Sequence, residues 1–106
     1  MGRVKLGQFE QHVLLAILQL GNDANPVSII AEIEDRTDRA VSHAAVYVAL
    51  KRLETKDLVS SRLGDPTARR GGKAKRFYQV APEVIQQLRH ERDALLNMWD
   101  GLEQAP

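Results

Sequence analysis

The sequence predicts a mainly α chain carrying one β-hairpin. Three observations lead there. Three stretches in the first half repeat apolar residues at helical spacing. Two later stretches, "LVSSRL" and "RFYQV", alternate apolar and polar residues as short strands do. Between those strands lies "GDPTARRGGKAK", a loop rich in glycine and positive charge, longer than a two-residue hairpin turn.

The first helix is predicted from Gln8 to Leu20. Its stripe is Phe9, Val13, Ile17 and Leu20, with Leu14 and Leu18 beside it. Gly21 and "NDANP" end it, because glycine caps helix ends and Pro26 cannot continue one. Pro26 also suits the first position of a second helix, "PVSIIAEIEDR", whose expected apolar side is Val27, Ile30, Ala31 and Ile33. "TDRAV" is a short linker. Ser42 then opens the third helix, since its hydroxyl can accept from the free amides of the first turn. Val46, Ala49, Leu50 and Leu53 face inward at helical spacing, and the helix is expected to end near Lys56 and Asp57. His43, Tyr47, Lys51 and Glu54 face outward, with Ala44 and Arg52 flanking.

A last helix is predicted from Pro82 to Glu103. Ile85, Leu88, Arg92, Leu95, Trp99 and Leu102 alternate at spacings of three and four, a coiled-coil-like seam with one arginine in it. Val84 and Met98 widen it. Arg92 needs an acidic partner or a water-facing position; for the former, Glu91 or Asp93 of a second copy, or Glu10, are the candidates.

Three helices followed by a hairpin form the winged helix-turn-helix layout. Residues 1–81 would be the winged-helix unit and 82–106 a dimerisation helix within the same compact unit. Such a chain of 106 residues leaves much of its surface exposed, so a second copy would cover the seam usefully.

The charge is segregated. Residues 36–76 hold eleven Lys and Arg against four acids, a net of +7, while the whole chain is only +1. A basic middle between acidic ends points to a polyanionic partner, most often nucleic acid. The competing reading is a solvated face whose charges are balanced in space by the acidic ends. Cysteine is absent, so disulfides and thiolate chemistry are excluded. His12, His43 and His90 are scattered, with no metal-ligand spacing. No nucleophile–base pair or carboxylate dyad stands out, so neither an enzyme nor a cofactor is expected. The longest apolar run, "VLLAIL", is too short to span a bilayer, and a cytoplasmic setting is the expectation.

In a winged helix the third helix would enter a major groove and the loop would meet the phosphate backbone or a minor groove. Ser42, His43 and Ala44 lie at the helix start. His43 would touch a base edge or phosphate, or be simply an exposed first-turn residue. Tyr47 would give its hydroxyl to a phosphate, or lie over the junction with the second helix. Lys51, Arg52, Arg69, Arg70, Lys73 and Lys75 are the candidate phosphate contacts, Lys51 alternatively pairing locally with Glu54 or Thr55, and Gly71 and Gly72 would let the backbone approach closely. The loop could equally be a solubilising turn, and the basic face could dock an acidic protein without any DNA role.

"AVYVALKRLETKDLVSSRL", followed by "RRGGKAKRFYQV", resembles the PadR-family transcriptional regulators. The matching features are a tyrosine in the third helix followed by leucine and basic residues, then a glycine-rich basic wing leading to an aromatic pair. The resemblance runs over nearly the whole chain. It implies an intracellular homodimeric regulator, usually a repressor, bound to a pseudo-palindromic operator. Tyr47 matches the family's recognition-helix tyrosine, and Gly71, Gly72, Lys73 and Lys75 match its wing. Phe9, Val13, Ile85, Leu88, Arg92, Leu95, Trp99 and Leu102 are the expected dimer contacts. Trp99, usually core or dimer contact at such a position, would in this family also line a small-molecule effector pocket. The chain departs from the family pattern at "NPVSIIAEIE", at "QVAPEV" and at Ala74.

Overall fold

A computed structural model describes residues 5–64 and 74–102. The order is α1 (Gln8–Leu20), a 3-10 turn at Gly21–Asp23, α2 (Pro26–Thr37), α3 (His43–Thr55), β1 (Val59–Leu63), β2 (Arg76–Val80) and α4 (Pro82–Trp99). The winged-helix order read from the sequence is therefore present, with helices and strands at nearly the expected bounds. One end differs: α4 stops at Trp99, before Glu103, and Gly101 follows with φ of 86°.

Local chemistry sets each boundary. Glu10 reaches back to the Gly7 amide at the start of α1 (3.1 Å). Asn25 caps α2 by accepting from the Ser28 amide (3.1 Å), and the Ser28 hydroxyl takes the Asn25 amide in return (3.0 Å). Pro26 occupies the first turn, where a missing amide costs nothing. Ser42 caps α3 through the Ala45 amide (3.2 Å). The end of α3 closes with Leu58 donating to the Leu53 carbonyl (2.9 Å) and Asp57 to Glu54 (3.0 Å). This is the paired closure that usually takes glycine at its left-handed residue; here Asp57 holds that position at φ 63°.

One hydrophobic core joins all the elements. Val13, Leu14 and Ile17 of α1 meet Ile29, Ile30 and Ile33 of α2 and Val46, Leu50 and Leu53 of α3. Val59, Val80, Val84 and Leu88 close it from the hairpin and α4. The inward face of α3 is the expected one. That of α2 is corrected: Ile29 is fully buried, whereas Val27 is 68% exposed and Ala31 is exposed. A helix begun by Pro26 and capped by Asn25 presents its 29, 30 and 33 positions to α1 and α3, turning Val27 to water.

The hairpin is antiparallel, with Val59 opposite Val80, Ser61 opposite Tyr78 and Leu63 opposite Arg76. Directly opposed residues share a face, so these six lie on one side and Ser60, Arg62, Phe77 and Gln79 on the other. The Tyr78 amide donates to the Ala24 carbonyl (2.8 Å), which fastens β2 to the segment before α2. Beyond Leu88, α4 leaves the core, and the chain reaches 55 Å in its longest dimension.

Candidate nucleic-acid interface

The outer arc of α3 is built by its inner one. Once Val46, Ala49, Leu50 and Leu53 are buried, the helical period turns Ala44, Tyr47, Val48 and Lys51 outward, and all four are exposed. Ser42 and His43 lie exposed at the start of the same arc. Its two flanks are held differently.

The flank toward the hairpin is fixed by hydrogen bonds. The Ser61 hydroxyl of β1 donates to the Glu54 carboxylate (2.6 Å), and the Arg76 guanidinium of β2 donates to the Ser61 oxygen (2.9 Å). Tyr78, opposite Ser61, lies in the same neighbourhood. Burial pushes its hydroxyl above the ordinary value of 10.0, the Glu54 carboxylate adds to the rise, Arg76 opposes it and Tyr47 adds a little. So Tyr47 and Glu54 of α3 and Arg76 and Tyr78 of β2 form one electrostatic group at the root of the hairpin.

The opposite flank turns toward α1. Arg52 lies 3.8 Å and Lys56 4.0 Å from Oε2 of Glu10. That oxygen is buried and accepts no hydrogen bond, so these are through-space ion pairs. Arg52 remains exposed, but a carboxylate of its own chain partly neutralises it.

At the hairpin, the Gly64 amide donates to the Lys75 carbonyl (2.7 Å), and Lys75 is exposed. The Arg62 guanidinium stacks over the Phe77 ring, 4.9 Å from its centroid. A Cβ at Gly64 would lie 2.7 Å from that ring. Arg69, Arg70, Gly71, Gly72 and Lys73 lie outside the described residues.

The structure thus places Ser42, His43, Ala44, Tyr47 and Lys51 on one exposed arc of α3, leaves Lys75 exposed on the hairpin, and sets Arg52 to one side. Sequence reasoning counted Arg76 with the wing's basic residues, and the structure adds its link through Ser61 to Glu54. It missed Val48 as a member of this surface, because a valine on a helix reads as core.

The seam on α4 divides. Val13 and Leu88 are corrected: Val13 has no exposed surface and Leu88 is 6% exposed, both in the chain's own core, so neither is free for a second copy. Phe9 and Ile85 are half-buried against that core. Leu95, Trp99 and Leu102 are exposed, with Leu96 and Met98 beside them. The expected partners of Arg92 are also revised. Arg92 donates to Asp93 of its own chain (3.0 Å), and Glu10 is taken by Arg52 and Lys56. A groove of about 460 Å³ runs between α1 and α4, walled by Leu15, Leu18, Ile85, Leu95 and Leu96. Among the described residues, no cluster of His, Asp or Glu is placed to hold a metal, and no helix is long and apolar enough to cross a membrane.

The model of the transcriptional regulator PadR-like family matches residues 14–90. The crystal structure of a PadR family transcription regulator from Clostridium difficile R20291 is 19% identical, covers 91% of this chain and 96% of that one, and superposes with a TM-score of 0.71. A PadR-like transcriptional regulator from Bacillus cereus is 17% identical over 92% of this chain and 93% of that one, with a TM-score of 0.70. BpsR of Bordetella bronchiseptica, whose DNA binding is regulated by 6-hydroxynicotinic acid, is 19% identical over 99% of this chain and 74% of that one, with a TM-score of 0.66. At these identities the likeness is one of fold. No curated protein matches the sequence.

Proposed function

The chain belongs to the transcriptional regulator PadR-like family, and on that premise we propose that it is a dimeric repressor that binds a pseudo-palindromic DNA operator. In this reading α3 enters the major groove, which is wide enough for one helix. The wing, with Arg69, Arg70, Gly71, Gly72, Lys73 and Lys75, meets the backbone or the minor groove beside it. Tyr47 and Lys51 contact phosphates; His43 and Ala44 approach base edges. Ser42 serves as the cap that aims the first turn of α3. Arg52 contributes weakly, since Glu10 draws part of its charge.

The observation that supports this best is the Glu54–Ser61–Arg76 link. It ties the hairpin to the outward flank of α3, and in this reading helix and wing address one duplex from one side. Residues 1–81 form the binding unit and the helix beginning at Pro82 the dimer arm. The exposed Leu95, Leu96, Met98, Trp99 and Leu102 are the apolar surface that a second copy covers, together with the α1–α4 groove. An effector, if the regulator takes one, sits near Trp99, where the arms meet. BpsR offers the precedent of a similar fold whose DNA binding answers to a small aromatic acid.

Fluorescence anisotropy with random duplex DNA across a salt series tests the reading. Binding falls steeply with salt as counterions are released. Tyr47→Ala weakens it by about 1–2 kcal/mol, the scale of one hydrogen bond to a charged group, with an unchanged circular dichroism spectrum. Absence of salt-dependent duplex binding would remove the proposal.

A further inference from the structure

Val48 is the one large aliphatic residue on the outer arc of α3, and it is 56% exposed. It does not help the helix, because a β-branched side chain loses rotamer freedom there and is a weaker helix former than alanine. It belongs to none of the core contacts. Ala44 lies one turn before it, also exposed, and Lys51 three residues after it. The hairpin-side flank carries Tyr47 and Arg76, and the other carries Arg52. An apolar strip is thus bordered by cations and a hydroxyl, on a helix that no other part of the described chain covers on that side.

We propose that Val48, with Ala44, forms an apolar reading edge for thymine methyl groups in the major groove. The inference rests on the duplex-binding reading above and names the base it favours. Each base pair shows the major groove a pattern of hydrogen-bond donors and acceptors, and thymine adds the C5 methyl, the apolar group of that code. A branched aliphatic side chain can discriminate little else there. It has no hydrogen to give guanine and no acceptor for cytosine, and it leaves a polar base edge dry and unpaired. Against a thymine methyl it gains by excluding water. The flanking cations supply the phosphate contacts that bring the arc to the groove, and the small Ala44 lets the first turn sit close to the bases. An acidic protein would satisfy those cations but would offer Val48 no counterpart fixed by a methyl on a base.

The test takes the full chain, selects bound duplexes from a random pool, and measures affinity for the selected duplex with each thymine in turn replaced by deoxyuridine, which lacks only the methyl. We expect one thymine per half-site at which the exchange weakens wild-type binding about fourfold, the effect of one methyl returned to water. Val48→Ala, which favours the helix and so stays folded, is expected to bind the thymine duplex about as weakly as wild type binds the uracil duplex, and to be nearly indifferent to the exchange at that position. If uracil replaces thymine everywhere without loss, or if Val48→Ala keeps the wild-type thymine-to-uracil ratio, the inference is overturned while the duplex-binding reading stands. If no duplex is bound in a salt-dependent way, both fall together.

Discussion

Tyr78 links the stability of the chain to pH. Its hydroxyl holds its proton more tightly in the fold than at its ordinary value of 10.0, chiefly because it is partly buried and next because Glu54 is near. A raised folded value gives stability that is complete below the ordinary value and is lost as pH rises through the folded one. Thermal melts from about pH 9 to about pH 11 should therefore show a falling midpoint, and Tyr78→Phe should flatten that fall. A wild-type midpoint unchanged over that range would contradict the assignment. Other single residues show what the sequence could and could not reveal. Ser42 was legible as a cap because its hydroxyl needs only local geometry. Glu10 was not legible as a buried group, because an acid on a helix reads as solvent-facing; its place depends on Arg52 and Lys56, more than forty positions away. Val13 was legible as apolar, yet nothing local separates a residue that packs within the chain from one that would pack across a dimer.

Among the elements, α1 and α3 followed their hydrophobic period closely, and the alternation of the two strands fixed the hairpin. The face of α2 was misread because Val27 and Ala31 look as apolar as Ile29, and only packing against α1 and α3 decides which is turned inward. The end of α4 was placed too late for a similar reason. The apolar rhythm continues to Leu102, but the backbone turns at Asp100 and Gly101. The wing itself carries a prediction. Replacing Arg69 and Arg70 together by alanine should weaken binding to all duplexes alike and reduce the slope of log affinity against log salt by about 2, since each neutralised phosphate contributes about 0.9. A double variant that binds its operator unchanged at physiological salt would take the wing out of the interface.

For the molecule as a whole, the charge pattern of the sequence points to a polyanionic partner, and the structure shows which cations its own acids answer. Toward the hairpin, Arg76 of β2 is linked through Ser61 to Glu54, and toward α1 the charges of Arg52 and Lys56 are partly answered by Glu10. Among the described residues, nothing covers the apolar end of α4. Sedimentation should therefore give twice the 11.9 kDa of one chain at micromolar concentration, and Leu95→Glu with Trp99→Glu should return it to the monomer while leaving the winged unit folded. A wild-type chain that sediments as a monomer would end the dimer proposal.

Where the wing leaves the hairpin, the Phe77 ring fills the space that any side chain at Gly64 would need. That crowding limits how the gene can drift. Substitutions at codon 64 must displace an aromatic that Arg62 already grips, so lineages free to rewrite the loop beyond it should still inherit a glycine at that position.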